Sequence, residues 1–318
     1  MTPTPPEHFV FLLVPDFTHI AFSCAIEPLR IANLISGQTL YEWSFMSENG
    51  HTEKASNDVV VQTYRDFGPL ERGEKMLVLS GIRVKEHCTP QLLSVVRREA
   101  RFGRLAGAIC SAAYILARAG LLDGVNTAIH WDYHDSFMEE FPEVGLVRNV
   151  FVADDKLLTA SGGTAAADLM IHLIGKTHGE DLAVEVADMM LYNAVREPTA
   201  EQRLSLQSRH GIRNERLTRA IQIMKETIET PVSPADIAEE IGISTRQLER
   251  LFGQHLNCSP KKYYTDMRLQ RARNLLLQTE KPVTEIAFLC GFASSAHFAR
   301  VYRAQFGTTP ANQRGKIS

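Results

Sequence analysis

The first 195 residues alternate short apolar runs with longer segments in which apolar residues recur at helical spacing. The apolar runs predict strands at 9–14, 41–47, 59–64, 75–81, 104–110 and within 146–160. The periodic segments predict helices at 20–36, 89–102, 111–119, 131–140, 164–178 and 181–193. Strands that are apolar throughout and separated by helices are typical of a parallel sheet covered on both faces. We therefore expect an α/β sandwich of flavodoxin-like type over residues 1–195.

The pattern changes at residue 196. Residues 196–213 are polar, include Pro198 and lack apolar periodicity, which predicts a linker. Over residues 214–318 every apolar pattern is helical, and glycines and prolines punctuate it. The second domain is therefore predicted to be all-α.

An imperfect internal repeat lies in this second domain. Residues 236–260 match residues 285–310, with one extra residue at the turn of the second copy. In each copy a short helical segment ends at a glycine, and a serine that can cap a helix follows. These residues are Gly242 and Ser244 in the first copy and Gly291 and Ser294 in the second. The order predicts two helix-turn-helix units, each with a second helix that reads DNA.

The two reading helices are predicted at 245–256 and 295–306. Each presents polar donors opposite its apolar face, and arginine can pair with guanine as glutamine can with adenine. The expected base contacts are Thr245, Arg246, Gln247, Arg250, Ser295, His297, Arg300 and Arg303. One long helix predicted at 261–279 joins the units and carries the candidate phosphate contacts Lys261, Lys262 and Arg268. Double-stranded promoter DNA is the expected partner; a basic helical oligomerisation domain is the alternative.

The charge distribution agrees with this division. Residues 211–318 hold 16 Lys and Arg against 10 Asp and Glu, whereas residues 1–210 hold 18 against 27. A basic end on an acidic body indicates a polyanionic partner for the second domain alone.

The remaining composition limits the class of protein. The five cysteines are scattered without a Cys-x-x-Cys pair, which argues against zinc and favours free thiols in a reducing cytoplasm. The first residues lack the basic segment of a signal peptide, and no apolar run has the length of a membrane span. We expect a cytoplasmic protein without membrane contact, metal or cofactor.

Residues 214–314 resemble the DNA-binding domain of the AraC/XylS family. The resemblance lies in ISTRQLERLF (243–252), SPKKY (259–263), RLQRARNLL (268–276) and the stretch from Ile286 to Pro310. It implies a transcription regulator. We expect an activator and a homodimer, with RNA polymerase as a further partner.

A second candidate site lies in the first domain. The segment AGAICSAAYIL (106–116) predicts a strand that turns sharply into a helix, with Cys110 at the turn. The positive end of the helix and the amides of Ser111 and Ala112 would lower the pKa of a thiol there and could hold an anion. His130 follows in TAIHW, and SGGTAAADL (161–169) predicts another strand-to-helix turn with free amides.

These turns resemble those of the PfpI-like, class I glutamine-amidotransferase-like superfamily, and the whole chain resembles the GlxA-type regulators. Related hydrolases place a histidine directly after the nucleophilic cysteine and an acid early in the first helix. This chain has Ser111 and, near Ala21, no carboxylate. We therefore favour a ligand-binding pocket. The alternatives are a cysteine-dependent amidase-like or glyoxalase-like enzyme, a redox-sensing thiol, and a cysteine that only packs.

The stretch AIEPLRIANLISGQTLYEW (25–43) resembles the GlxA-type regulators that respond to glycine betaine, carnitine or arginine-like compounds. Such a small amino-acid-like or quaternary ammonium effector needs an anion site, which backbone amides could form. It also needs a cation site of aromatic faces or a carboxylate. The candidate ligand-binding residues are Phe17, Phe22, Glu27, Cys110, Ser111, Tyr114, His130, Trp131, Gly162, Gly163 and Thr164. Core packing is the alternative for each aromatic residue.

Overall fold

The computed structural model describes residues 5–154, 157–193, 195–202 and 214–314. The chain divides into two compact units, residues 1–202 and residues 203–318. The first unit combines strands with helices, and the described part of the second is helical. The predicted classes, α/β followed by all-α, are confirmed.

Short strands and helices make up the first unit. The strands are β1 Glu7–Leu13, β2 Tyr41–Met46, β3 Thr52–Lys54, β4 Val60–Gln62, β5 Glu74–Leu79, β6 Leu105–Ile109, β7 Asn126–Ala128, β8 Gly145–Val147, β9 Phe151–Ala153 and β10 Leu158–Ala160. The helices are α1 His19–Ser36, α2 Pro90–Arg101, α3 Ala113–Arg118, α4 His134–Glu140, α5 Ala165–His178 and α6 Glu180–Met189. The 3-10 turns Cys110–Ala112 and Trp131–Tyr133 precede α3 and α4.

Six strands form the central sheet in the order β2-β1-β5-β6-β10-β9. Neighbouring strands are parallel except for the pair of β10 with the edge strand β9. Side chains of β1 alternate between two cores, with Phe9, Phe11 and Leu13 in one and Val10 and Leu12 in the other. Because both faces are buried, the strands are apolar throughout. The flavodoxin-like prediction is confirmed, with an antiparallel edge strand that the pattern did not predict.

The chain reverses its winding between β1 and β5. From β1 it proceeds to β2 on one side, whereas β5 lies on the other side of β1. Helices α1, α5 and α6 pack on one face of the sheet, and α2, α3 and α4 pack on the other. Such a topological switch leaves space for a ligand at the carboxyl ends of the two strands. The loops that follow β1, β5 and β6 therefore meet at one edge of the sheet.

Two predicted strand segments take other positions. Residues 59–64 contribute only β4, which pairs with β3 in a hairpin outside the central sheet. Val59 and Val60 are 40% and 59% exposed, so this apolar run is not core. The segment 146–160 divides into β8, β9 and β10, and β8 pairs with the unpredicted strand β7. Apolar composition does not distinguish a strand of the central sheet from a strand outside it, because the two differ in pairing partners that are remote in sequence.

The second unit contains two cores joined by one helix. Its described helices are α7 Glu215–Glu226, α8 Pro234–Glu240, α9 Thr245–Leu256, α10 Pro260–Gln278, α11 Val283–Leu289, α12 Ser295–Phe306 and α13 Pro310–Arg314. The first core includes Leu248 and Phe252 of α9, and the second includes Phe298 and Tyr302 of α12. Helix α10 contributes Tyr264 to the first core and later residues to the second. The two helix-turn-helix units are therefore held by one continuous helix.

The beginning of the predicted linker is attached to the first unit. Arg196 donates hydrogen bonds from its backbone and its guanidinium to Asp168. Gln202 donates from Nε2 to the backbone carbonyls of Ile129 and Asn149, both at 2.9 Å. The rest of the predicted linker, residues 203–213, lies outside the described residues.

Gly107 of β6 has no room for a side chain, because a Cβ there would lie 1.8 Å from the carbonyl oxygen of Leu158 in β10. We expect Gly107→Ala to push these strands apart and to lower the free energy of unfolding of the first unit by about 3 kcal/mol. Both tryptophans, Trp43 and Trp131, lie in the first unit, so urea unfolding followed by tryptophan fluorescence measures the effect.

The control for this prediction is Gly253→Ala in α9. A Cβ at Gly253 meets no atom within 4 Å, so the substitution should leave the fluorescence transition unchanged. A Gly107→Ala protein with the parental unfolding midpoint would contradict the close approach of β6 and β10.

Candidate functional site

Each helix-turn-helix unit turns at a glycine. Gly242 and Gly291 have φ values of 69° and 71°, a left-handed conformation that residues with a Cβ rarely adopt. Ser244 and Ser294 each accept a hydrogen bond from the backbone N–H three residues later. The predicted turn glycines and capping serines are confirmed, and α9 and α12 begin directly after the caps.

The reading helices present the predicted base contacts to solvent. All eight side chains are exposed: Thr245, Arg246, Gln247, Arg250, Ser295, His297, Arg300 and Arg303. The opposite faces of α9 and α12 are anchored in the two cores. A helix that is anchored on one face and carries exposed donors on the other is suited to enter a major groove.

Two of these residues also make contacts within their own unit. Oε1 of Gln247 accepts hydrogen bonds from the backbone N–H of Ser244 at 2.9 Å and from its hydroxyl at 3.2 Å, which completes a capping box. Gln247, predicted as a base contact, therefore also stabilises the start of the reading helix. Nδ1 of His297 lies 3.1 Å from a guanidinium nitrogen of Arg300, so these two exposed side chains form a pair on the surface of α12.

The predicted phosphate contacts on α10 divide into two groups. Lys261 and Lys262 are exposed at the start of the helix. Arg268 differs from the prediction because it points inward. Its Nε donates to the carbonyl of Cys290 at 2.7 Å, and its guanidinium carbon lies 4.0 Å from the ring centroid of Phe292. Burial lowers the pKa of Arg268, and the side chain joins α10 to the second helix-turn-helix unit.

In the first unit, Cys110 lies at the sharp turn between β6 and α3. Its φ of 66° is rare for a residue with a side chain, and such strained positions cluster at functional sites. The Cys110 sulfur lies 3.4 Å from the hydroxyl of Thr18, which follows β1. A Cβ on Gly162 would lie 2.9 Å from the same sulfur, so only glycine lets the turn after β10 approach this closely.

The loop after β5 completes this site. The carbonyl of Gly81 accepts hydrogen bonds from the hydroxyls of Ser111 at 2.5 Å and Tyr133 at 3.0 Å. A Cβ on Gly81 would lie 2.8 Å from the backbone nitrogen of Thr18. Thr18, Gly81 and Cys110 thus bring together the loops that follow β1, β5 and β6, and we call this group the switch site.

The surroundings of Cys110 favour the neutral thiol. Burial raises its pKa, and the hydrogen bonds with Thr18 and with the backbone N–H of Ser111 offset only part of this effect. The thiolate is the reactive form of cysteine, so a nucleophile needs the opposite shift. The backbone amide of Ser111 lowers the pKa as expected, but burial outweighs it, so the expected net lowering of the Cys110 pKa is wrong. Nδ1 of His130 accepts a hydrogen bond from the backbone N–H of Asp132 at 3.3 Å.

The aromatic candidates do not meet in one pocket. Phe17 and Phe22 are buried with their ring centroids 5.4 Å apart, in the core on the α1 face of the sheet. Tyr114 packs in the core on the other face, where its hydroxyl donates to Glu140 at 2.6 Å. For these three rings the alternative of core packing holds.

The remaining candidates are spread over three places. Glu27 lies on the surface of α1, where it pairs with Arg30 at 2.6 Å. His130 and Trp131 are half-buried neighbours with ring centroids 5.3 Å apart. Gly163 and Thr164 continue the turn that starts at Gly162, and the Thr164 hydroxyl accepts a hydrogen bond from the guanidinium of Arg196 at 2.7 Å.

Sequence reasoning missed a buried carboxylate next to this turn. Asp168 of α5 is fully buried. It accepts hydrogen bonds from the backbone N–H of Arg196 at 2.8 Å, from its guanidinium at 2.9 Å and from the hydroxyl of Tyr192 at 3.0 Å. A lone carboxylate in an apolar helix was the available signal, but its partner 28 residues later lies in the segment interpreted as linker.

Fold and site together define a DNA-binding transcription regulator made of an α/β domain and a domain with two helix-turn-helix units. Residues 71–176 match the DJ-1/PfpI family, and residues 237–316 match the helix-turn-helix domain family. The HTH-type transcriptional regulator GbdR of Pseudomonas aeruginosa is 37% identical over 97% of this chain and 84% of its own length. GlxA of Rhizobium meliloti, also an HTH-type transcriptional regulator, is 35% identical over 96% of this chain and 94% of its own length.

A crystal structure of an AraC family transcriptional regulator from Pseudomonas putida is also similar. It is 25% identical, and the match covers 58% of this chain and 100% of that chain with a TM-score of 0.52. The chain belongs to the family of HTH-type transcriptional regulators that includes GbdR and GlxA.

Two further findings concern the described ranges only. Within residues 5–154, 157–193, 195–202 and 214–314, no helix is long and apolar enough to cross a membrane. In the same ranges, no group of three His, Cys, Asp or Glu side chains could hold a metal ion.

Arg246 lies on the exposed face of the first reading helix. We expect Arg246→Ala to weaken DNA binding by about 1–3 kcal/mol, the range of an arginine–guanine contact, and to relax specificity only in the block that α9 reads. The DNA target is first selected from random sequences with the parent protein. Fluorescence anisotropy of the full-length protein then measures the affinity for this target and, with targets substituted base by base, the specificity.

Arg219→Ala is the matched control for charge. It removes an arginine from α7, where Arg219 donates to Glu240 at 2.9 Å, and it should alter neither affinity nor specificity. An equal loss of affinity for every DNA sequence would assign Arg246 to phosphate contact instead.

Asp168→Asn should lower the free energy of unfolding of the first unit by about 3 kcal/mol, because it leaves the partly buried guanidinium of Arg196 without its counter-ion. Urea unfolding followed by tryptophan fluorescence measures the change. Asp188→Asn on the exposed side of α6 is the control and should shift stability by less than about 0.5 kcal/mol. If both variants unfold at the parental midpoint, the buried pair makes no net contribution.

Proposed function

We propose that this regulator is an activator whose first unit binds a small amino-acid-like or quaternary ammonium metabolite, such as glycine betaine, carnitine or arginine. Binding changes how the two reading helices engage promoter DNA. The regulator acts in the cytoplasm, as a homodimer and together with RNA polymerase.

The burial of Cys110 at the switch site, which raises the pKa of its thiol, is the observation that carries the choice of ligand binding over catalysis. The site occupies the edge at which open α/β sheets bind small molecules. Catalysis by Cys110 would need a base that takes the thiol proton, but the groups that shift its pKa are Thr18 and the Ser111 backbone, against burial. The same shift disfavours a redox-sensing thiol.

Contacts within the first unit link this site to Arg196, which precedes the DNA-binding unit in sequence. Gly162 lies against Cys110, and two residues later Thr164 bonds to Arg196. Arg196 is the anchored start of the segment that leads to the second unit. A ligand that binds one arrangement of the 162–164 turn better than another would shift the position of this anchor.

The reading helices differ in their exposed donors, which supports an asymmetric operator. Helix α9 carries Arg246 and Gln247, whereas the corresponding positions of α12 are Ala296 and His297. Each monomer would therefore read two unlike blocks about 34 Å apart, one turn of B-DNA.

Substitution of Cys110 separates the proposal from its alternatives. We expect full-length Cys110→Ala to keep its affinity for DNA and to keep much of the rise in melting temperature that glycine betaine, carnitine or arginine produces, because a ligand held by the folded state stabilises it. Thermal-shift and DNA-binding titrations of parent and variant measure both, with Cys110→Ser as a second variant that retains a hydrogen-bonding group.

Two results would favour the alternatives. A turnover of the ligand that disappears in both variants would indicate a cysteine-dependent enzyme. A change in DNA affinity caused by peroxide, present in the parent and absent in the variants, would indicate a thiol sensor.

A further inference from the structure

A buried carboxylate of the hairpin formed by β3 and β4 forms no ion pair with a lysine or arginine of the described residues. Glu53 of β3 is 9% exposed, and its carboxylate accepts a hydrogen bond from the backbone N–H of the next residue, Lys54. Burial raises its pKa, as do the nearby carboxylates of Asp16 and Glu48, whereas the imidazole of His87 lowers it. In the described part of the chain, no lysine or arginine forms an ion pair with Glu53. A buried, uncompensated charge is unfavourable until a counter-ion arrives.

The hairpin that carries Glu53 lies along the loop after β1. The backbone N–H of Asp16 donates to the carbonyl of Lys54 at 2.9 Å. Glu53 is buried while its neighbours Thr52 and Lys54 are exposed, so its side chain points toward the body of the unit. Two residues after Asp16, Thr18 contacts Cys110. The hairpin that carries Glu53 therefore lies beside the same loop that brings Thr18 to Cys110.

Arg83 supplies a positive charge from the loop after β5. Its Nε donates to the Asp16 carboxylate at 3.0 Å, and Nε2 of His87 lies 2.8 Å from the same oxygen. Burial raises the pKa of Asp16, but the bonds with His87 and Arg83 outweigh it and the pKa is lowered. Arg83 donates two of its five N–H groups to Asp16, so three can donate to another carboxylate.

A second buried polar group on the loop after β5 lacks a partner. Ser80 is fully buried, and its hydroxyl has no hydrogen-bond partner in the described residues. Native proteins pair nearly all such groups, with protein, water or ligand. Ser80 immediately precedes Gly81 of the switch site. Strand β3 therefore carries a buried carboxylate without a lysine or arginine partner, and the loop after β5 carries a buried hydroxyl without a hydrogen-bond partner in the described residues.

We propose that Glu53 is the counter-ion for the cationic group of the effector and that Arg83 holds its carboxylate. This inference rests on the proposed function and narrows the ligand to an amino-acid zwitterion whose cation carries N–H donors, an ammonium or a guanidinium. Carboxylates bind such cations through charge-assisted hydrogen bonds, whereas a quaternary ammonium group is bound by aromatic faces. The aromatic rings of the loop after β1 and of α1, Phe17 and Phe22, are buried in the core.

Calorimetric titration of the full-length protein tests this ligand class, with arginine and glycine betaine as probes. We expect arginine to bind at least about tenfold more tightly than glycine betaine. Glu53→Gln should weaken arginine binding by about 30-fold or more, the effect of removing one partner of a buried charge pair. Arg83→Gln should weaken it less, because the Arg83 side chain is 43% exposed. Glu185→Gln, on the exposed side of α6, is the charge control and should bind like the parent.

Melting temperatures without ligand separate a binding role from a structural one. Glu53→Gln removes an uncompensated buried charge, so the ligand-free variant should melt at or above the parental temperature while its response to arginine is lost. A lower melting temperature together with unchanged arginine affinity would assign Glu53 a structural role and overturn the inference.

The outcomes distinguish the two proposals. If the parent binds neither arginine, carnitine nor glycine betaine, the effector class in the proposed function is wrong, and this inference falls with it. If the parent binds arginine and Glu53→Gln binds it equally well, only the assignment of Glu53 is wrong. Tighter binding of glycine betaine than of arginine would overturn the narrowed ligand class.

Discussion

Parallel pairing of β1, β5 and β6 is the constraint on which the rest of the first unit depends. Because the three strands run in one direction, the loops that follow them must meet at one edge of the sheet. Both faces of the sheet are buried by helices, so this edge is where polar side chains can collect. Gly81 and Gly162 allow the loops to approach to contact distance, because a Cβ on either would collide with the neighbouring loop.

In the second unit, one long helix joins two helix-turn-helix units. Each helix-turn-helix unit has its own small core, and α10 contributes side chains to both. Arg268 adds a hydrogen bond from α10 to the turn of the second helix-turn-helix unit. Lys262 donates a hydrogen bond to Gln305 of α12 at 3.1 Å. These contacts hold α10 and the second reading helix together, whereas the donors that would meet DNA remain free to differ between the two copies of the repeat.

Local signals located most of the candidate DNA interface but little of the pocket. Turn glycines and capping serines act over three or four residues, so the bounds of α9 and α12 follow from the sequence. The pocket depends on contacts over long separations. Thr18 lies 92 residues from Cys110, and Asp168 is paired with Arg196 from the segment interpreted as linker. Phe17, Phe22 and Tyr114 proved to be core residues. They lie on opposite faces of the sheet, and the sequence pattern does not show which face a residue occupies.

The sequence by itself determined the order of the two domains, the apolar strands of the sheet and the repeated turn-and-cap pattern, because periodicity and capping are short-range effects. It also determined the family, through motifs that extend along most of the chain. Only the tertiary structure decided that β4 leaves the central sheet and that Arg268 points inward. It alone decided that Cys110 is a buried thiol with a raised pKa and that Glu53 stands beside Asp16 without a cation. Burial and charge pairing depend on residues brought together from distant parts of the chain, and no local pattern records them.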